Sequence, residues 1–420
     1  MPRLPTRYVP GMPLLLLTAL LACAPRSATG VASPGGAPPG SALKLTPLLF
    51  WEVEKDGVRS HLLGTCHMGT SLNEALPSAH RVHLDKARVV VTEAELPEDP
   101  MPMLLMLMSG TRLSTRMSPE AFHRLVSRTP QLPATIYDRM PPWAATMLSS
   151  SANAMGTGRQ RGMDAEVVER GAKGGAQRLY VETLEEQAAL LASFDAQFLE
   201  GLEQAPDLIA EAASFGELDR LCREGIVPEG GELLDNAGAF TEALLHARNR
   251  AWMPKLLPEL AQGGAFVAVG AAHMLGKEGL IELLENEGYT VTQRSGERRV
   301  APPGAYEPPA APTPHDPVKA AQVAAHLAPV VDQGCVPKGI MMECFFDSDA
   351  QCREVLTADL ALCAGQNSAW PSSGTIGAPL VIEATNCMVT GALMEGLTRP
   401  LRPAASCQML ASMMQAASKK

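Results

Sequence analysis

The chain has 420 residues, of which 46% are hydrophobic, 19% charged and 4% aromatic, with a formal net charge of -10. That length is enough for more than one domain with a substantial core. The acidic balance and the lack of any basic stripe argue against nucleic acid as a partner, since phosphate binding needs clustered Lys and Arg.

The amino terminus carries a targeting pattern. Arg3 and Arg7 precede an apolar run from Leu14 to Ala22, which closes on Leu20-Leu21-Ala22-Cys23. The run is too short to span a bilayer and looks like a bacterial lipoprotein signal over residues 1–23. Cys23 would then carry the lipid and begin the mature chain. An ordinary signal peptide cleaved near Ala22 or beyond is the alternative, and either one exports the protein. Residues 24–47 are rich in Pro and Gly, as in Pro34-Gly35-Gly36-Ala37-Pro38-Pro39-Gly40, and read as a tether that cannot bury a core.

The body follows over 48–294. Leu49 to Glu54 alternates like a strand, and Asp56-Gly57 predicts a hairpin turn into Val58–Leu63. Glu74 to Lys86 reads as a helix and Arg88 to Thr92 as a strand ending in Glu93. From about Met101 to Gly171 the pattern is mostly helical, punctuated by Pro119, Pro130, Pro133, Pro141 and Pro142. Gln177 to Glu182 is a further strand with an acidic end, and Thr183 with Glu186 forms a capping-box pattern for the next helix. Helical pattern continues through Ala237 to Leu260. Ala265 to Val269 then reads as a buried strand, Lys277 to Glu287 as a helix ended by Gly288, and Tyr289 to Thr292 as a closing strand.

Strand, motif, helix, strand recurs at both ends of the body. This predicts an α/β fold whose central sheet is assembled from two distant halves with helical insertions. A Pro/Ala-rich linker follows over 295–330, densest from Ala301 to Pro317, where seven prolines occur. The remainder, 331–420, holds Cys335, Cys344, Cys352, Cys363, Cys387 and Cys407. An even set in a short exported segment reads as a disulfide framework, with fifteen possible pairings. Zinc binding there would lack any C-x-x-C spacing.

The chemistry-bearing pattern is a repeated Gly-x-x-His: Gly64-Thr65-Cys66-His67 and Gly270-Ala271-Ala272-His273. Each follows a strand, so each histidine is delivered to the sheet's carboxyl edge, where open α/β sheets place their sites. His67 and His273 with Glu93 would make a His/His/carboxylate set suited to a divalent cation. Two histidines merely satisfied by hydrogen bonds near strand ends are the plain alternative. Cys66 points opposite to His67 in an extended segment and reads as buried packing rather than a soft ligand. Met101, Met103, Met106 and Met108 fit an apolar helix or surface better than a copper run. Asp164 and Glu166 either lie near a site or cap a helix. Arg248, Asn249 and Arg250 are either a solvated face or a contact for an anionic or other substrate.

Taken together, Phe50-Trp51-Glu52-Val53, Leu62-Leu63-Gly64-Thr65-Cys66-His67, Val89-Val90-Val91-Thr92-Glu93, Arg161-Gly162-Met163-Asp164, Val181-Glu182-Thr183-Leu184-Glu185-Glu186-Gln187, Arg248-Asn249-Arg250-Ala251-Trp252 and Val267 through Gly276 resemble, in this order, the TraB/GumN family. The resemblance covers about 48–294. The family includes bacterial lipoproteins and the animal TIKI proteins, which are membrane-anchored metalloproteases, and it is related to haem-binding ChaN and erythromycin-esterase folds. It implies His67 and His273 as ligands of a divalent ion (Zn, Mn or Co), Glu93 as third ligand or general base, and less specific roles for Glu182 and Arg248. Cys66 stands where an aliphatic residue is expected. Two functions follow as expectations. One is a lipid-anchored, metal-dependent hydrolase of peptide or ester bonds in the cell envelope. The other is a noncatalytic binder of haem, metal or peptide.

Overall fold

The computed structural model describes residues 42–66, 70–95, 107–108, 111–127, 132–156, 163–204, 238–300, 317–337, 340–366, 378–397 and 407–408. Cys23, His67, Met101, Met103, Met106, Arg161, Gly162 and Cys222 lie outside the described residues, as does the stretch 301–316.

Alternation along the strands divides the body into two apolar layers. Trp51, Val53, Leu62, Val89, Val91, Val267 and Val269 face one way, against Trp252, Leu256, Leu260, Leu280 and Leu284. Phe50, Leu63, Val90, Phe266 and Ala268 face the other, against Leu72, Leu76, Leu84, Met163 and Val167. A period of two buries both faces of one sheet. The strands are β1 (Ala42–Lys55), β2 (Val58–Thr65), β3 (Val89–Thr92), β4 (Gln177–Tyr180), β5 (Ala265–Gly270) and β6 (Thr290–Val300), in the spatial order β4-β3-β5-β2-β1-β6. β5 pairs parallel with both β2 and β3, and β3 parallel with β4, whereas β1 is antiparallel to β2 and β6. The sheet is therefore mixed, and its middle strand arrives from far along the chain, as the repeated motif predicts. All of β5 is buried.

The hairpin turn holds Asp56 at φ 55° and Gly57 at φ 77°, the left-handed pair that a tight two-residue turn requires. β1 and β6 both run further than the sequence pattern suggests. β1 begins at Ala42, inside the stretch read as a tether, and β6 continues to Val300, inside the stretch read as a linker. Their mutual register, Ala42↔Val300 to Pro47↔Ser295, explains this, because each strand supplies the other's hydrogen bonds. The helix expected over Glu74–Lys86 is two helices, Leu72–Ala75 and Ser78–Asp85. Pro77 separates them and keeps Leu76 extended at φ -123°, ψ 108°.

Short helices between β3 and β5 form a separate cluster around Phe122, Tyr137, Trp143 and Phe198, with Met108 packed at its edge. The carboxyl-terminal module contributes helices Pro317–Gly334, Ile340–Phe345, Asp349–Gln366 and Ala378–Leu397 around its own core. Its six cysteines pair as Cys335–Cys352, Cys344–Cys407 and Cys363–Cys387, one of the fifteen possible frameworks.

The module is docked on the helical cluster through buried charge, which nothing in the sequence pattern indicated. Arg139, 2% exposed, pairs with both oxygens of the fully buried Asp359 at 3.0–3.2 Å. Arg112 reaches Asp138 at 3.1 Å and Asp359 at 2.9 Å. Burial pushes the Asp359 carboxyl upward against the pull of Arg139 and Arg112. Around the pair, Gln366 bonds the Ala134 N–H and the Leu132 carbonyl, and the Thr135 hydroxyl donates to the Cys387 carbonyl at 2.9 Å. Removing one partner of a buried pair strands the other, at a cost of about 3–5 kcal/mol. Asp359→Ala should therefore lower unfolding stability by about that amount in urea melts. A change below about 1 kcal/mol, the scale of an exposed pair, would show that the module is not held through this contact.

Candidate active site at the carboxyl edge of the sheet

Because β2, β5, β3 and β4 run parallel, their carboxyl ends emerge along one edge. Register places Thr65 of β2 beside Gly270 of β5, and Thr92 of β3 beside Tyr180 of β4. Pairing continues past β3 and β4: the Val181 N–H donates to the Thr92 carbonyl at 3.1 Å and the Glu182 N–H to the Glu93 carbonyl at 2.9 Å. Glu93 and Glu182 are thus neighbours at the ends of adjacent strands on the sheet's rim. Gly64 lets the turn after β5 pack closely, since a Cβ there would lie 3.1 Å from the Ala271 Cα. Gly270 acts differently, donating its N–H to Glu93 Oε1 at 2.8 Å.

Arg248 enters from the helix Ala247–Gln262, which packs across the sheet through Trp252, Leu256 and Leu260. Its guanidinium donates to Glu93 Oε2 at 2.8 Å and to both oxygens of Glu182, with Nε to Oε2 at 3.0 Å. Gln187 donates to Glu93 at 3.1 Å and also to Glu182, and the Trp252 indole N–H donates to Glu182 at 3.2 Å. The guanidinium also stacks over the Trp252 ring, 4.9 Å from its centroid. Burial alone would pull the Arg248 pKa down, but the bond to Glu182 and the charges of Glu93 and Glu182 outweigh it and hold the value raised. Arg248 is the cation that makes two adjoining, largely buried carboxylates tolerable.

His273 sits in the short turn Ala271–Met274 after β5 and is 4% exposed. Its Nδ1 lies 2.7 Å from Asn249 Oδ1, an oxygen that can only accept, so Nδ1 carries the proton. The Asn249 amide is oriented in turn by donating to the His273 and Glu278 carbonyls at 3.2 and 2.8 Å. Nε2 then accepts from Arg248 Nη1 at 3.2 Å, which ties the ring to the charged group. An imidazole fixed by a hydrogen bond through one nitrogen is how metal-ligating histidines are oriented. The Trp252 ring covers its face at a centroid distance of 4.3 Å.

Of the residues expected from sequence, His273, Glu93, Glu182 and Arg248 are brought together, while His67 lies outside the described residues. Cys66 is buried, as expected, and it is disulfide-bonded, so it offers no thiolate to a metal. Asp164 accepts from the Thr65 hydroxyl at 2.6 Å at the exit of β2, and Glu166 accepts the Leu72 N–H at 2.9 Å, holding a helix start. The Arg248-Asn249-Arg250 cluster splits. Arg248 and Asn249 turn into the site, whereas Arg250 turns outward to pair with Glu242 and Glu278. Those two carboxylates and His246 place donor atoms within 4.8 Å of one another, with Arg250 already supplying the cation. Gln187 and Trp252 were not recognised from sequence as site residues, and Asn249 stood out only as part of a polar cluster. The legible signal for Trp252 was its i,i+4 spacing from Arg248, which puts both on one helix face.

An α/β protein with an Arg-bridged carboxylate pair and an oriented histidine at the parallel strand ends is the class defined by this geometry. Residues 49–293 match the TraB/PrgY/gumN family, and the chain belongs to that family. It is similar to the uncharacterized protein YbaP of Shigella flexneri, 25% identical over 235 residues, covering 54% of this chain and 87% of that protein. YbaP of Escherichia coli (strain K12) is 24% identical over 234 residues, covering 53% and 87%. No solved structure matches the chain. The carboxyl-terminal module falls outside the family match.

Arg248→Met should leave Glu93 and Glu182 uncompensated, at a cost of about 3–5 kcal/mol of stability at neutral pH. Each carboxylate then raises the other's folded pKa above its unfolded value. A carboxyl so raised binds its proton more tightly when folded, so the deficit should shrink as pH falls from 7 toward 5. Urea melts of wild type and variant across that range measure it. A deficit that stays constant with pH would refute the compensating role of Arg248.

Proposed function

We propose that the chain is an exported, lipid-anchored hydrolase of the bacterial cell envelope that uses a divalent metal ion to cleave peptide or ester bonds. The observation that carries this reading is the His273 imidazole, locked by Asn249 through Nδ1 and joined through Nε2 to Arg248, which also holds the Glu93 and Glu182 carboxylates on neighbouring strand ends. A nitrogen and carboxylate oxygens make a donor set that fits Zn, Mn or Co. His67 would be the second nitrogen ligand, because its motif leaves the strand beside β5. When bound, the ion would polarise a substrate carbonyl and lower the pKa of a water molecule.

The chain's own residues divide the remaining work. Glu93 is third ligand or general base, and Gly270 and Gln187 fix its orientation. Glu182 stands beside it as a second base. Arg248, already raised in pKa and half-buried, is placed to meet negative charge developing on a carbonyl oxygen. Trp252 covers one side of His273 and limits water access. One observation favours a second reading, a noncatalytic binder of metal, haem or peptide: Arg248 already neutralises both carboxylates, so neither is a free base until it moves.

Chelation should abolish cleavage of peptide or ester substrates, and a divalent ion should restore it. His273→Ala should remove most activity while far-ultraviolet dichroism stays native, a loss on the order of several kcal/mol in transition-state stabilisation. Glu93→Gln separates roles, since a lost metal marks a ligand and a retained metal with no turnover marks a base. Stoichiometric metal with no turnover on a broad substrate panel would favour the binder.

The lipid is tested by cysteine arithmetic as well as by labelling. Of nine cysteines, six pair within the module and Cys66 is also bonded, so a lipid on Cys23 leaves Cys222 as its available partner. Peptide mapping without reduction should return a Cys66–Cys222 pair, and fatty-acid label should be lost in Cys23→Ala. A Cys23–Cys66 peptide would overturn the anchor.

A further inference from the structure

Away from the strand carboxyl ends, the sheet carries a second concentration of chemistry. Of the chain's nine histidines, His61, His80 and His83 gather around Phe50 on the face covered by helix Ser78–Asp85. The His61 and His83 rings stand with centroids 4.0 Å apart, and His80 lies 6.3 Å from His83. A recess of about 190 Å³ opens beside them, lined by His61, Val82, His83, Lys86, Ala87 and Gly264.

The anomaly is His61 Nε2. It is buried and has no hydrogen-bond partner. Burying a polar nitrogen without a partner is unfavourable, and such an atom calls for an explanation, of which an ion is one. The nearest acidic atom is Glu52 Oε2 at 3.8 Å, too far for a hydrogen bond. It is not too far for shared ligation: two donors each about 2.1 Å from one ion can stand up to about 4.2 Å apart. Glu52 Oε1 is meanwhile held by Arg294 at 2.6 Å, which leaves Oε2 as the oxygen facing His61.

We propose that His61 Nε2 and Glu52 Oε2 are the preformed half of a transition-metal site, completed by His83 and independent of the site at the strand carboxyl ends. His83 is the mobile member. The three donor atoms as they stand do not share one coordination sphere, so the His83 ring must turn from its helix toward the ion. Burial, with His83 next, holds His61 down at about 4, and burial also lowers His83.

Charge around the recess decides which ions fit. Lys86 lines it, and Arg294 and Arg59 flank Glu52, so the site is not strongly negative. A hard cation held only by charge, such as Ca²⁺ or Mg²⁺, gains little here. A borderline ion with high affinity for imidazole nitrogen, Zn²⁺, Cu²⁺ or Ni²⁺, gains most. Glu52 supplies the single carboxylate, and Phe50 stacks parallel to His61 at 5.4 Å, keeping that ring in place.

The test is zinc titration of the full chain by calorimetry, with Mg²⁺ as the hard-ion control. Wild type should bind one more zinc per chain than His83→Gln, and one more than Glu52→Gln, while His273→Ala keeps that ion. His83 is half-buried on a covering helix, so His83→Gln should fold even if a change at His61, within the sheet, does not. Cobalt added to wild type should give nitrogen-ligand absorption bands that His83→Gln lacks. Equal zinc stoichiometry in wild type and His83→Gln would overturn the proposal, as would loss of all zinc in His273→Ala alone. A chain that binds zinc only through His83 and Glu52 would support this site while counting against metal at His273.

Discussion

Everything at the carboxyl edge depends on one buried charge balance: Arg248 between Glu93 and Glu182. Two carboxylates at adjoining strand ends repel and lose hydration, and neither could stay ionised there without a cation between them. That cation must come from a helix packed over the sheet. Arg248 is delivered by the same helix whose Trp252, Leu256 and Leu260 fill one apolar layer. Packing of the core and construction of the site are therefore a single event. β5 makes this possible by entering between β2 and β3 late in the chain, which also brings His273 to the rim.

The histidine and the arginine are coupled through Asn249. Its amide fixes which nitrogen of His273 carries the proton, and its other bonds tie that histidine to the loop before helix Leu280–Asn286. A site arranged this way is ordered before any ligand arrives, so little reorganisation is left for binding. The same guanidinium that stabilises the pair also stands where a metal ion would need the carboxylates. Arg248 must therefore change partners for the proposed chemistry to begin, while the carboxyl-terminal module, anchored by Arg139 and Asp359, holds the helical cluster.

Much of this was legible because it rests on short-range patterns. The Asp56-Gly57 turn, the Thr183–Glu186 capping box and the buried run of β5 are all local signals, and each is present. Glu93, Glu182, Arg248 and His273 were legible as candidates through strand ends and motif order. What sequence could not supply was long-range. Nothing local says that Arg139 meets Asp359 across 220 positions, or that Asn249 faces His273 rather than solvent. The reach of β1 and β6 into apparent linkers was hidden too, since the Pro-rich stretches that adjoin them set the reading while the partner strand supplies the order. The break at Pro77 was readable in principle, because a proline disfavours helix at the preceding residue.

The most direct measurement is the anomalous scattering of a crystal grown with manganese or zinc, collected at the absorption edge of that metal. The account predicts a peak within bonding distance of His273 Nε2, about 2.0–2.1 Å for zinc, with a carboxylate of Glu93 or Glu182 in the same sphere and the Arg248 guanidinium withdrawn from it. A map with no peak at that rim, and Arg248 still bonded to both carboxylates at saturating metal, would contradict it.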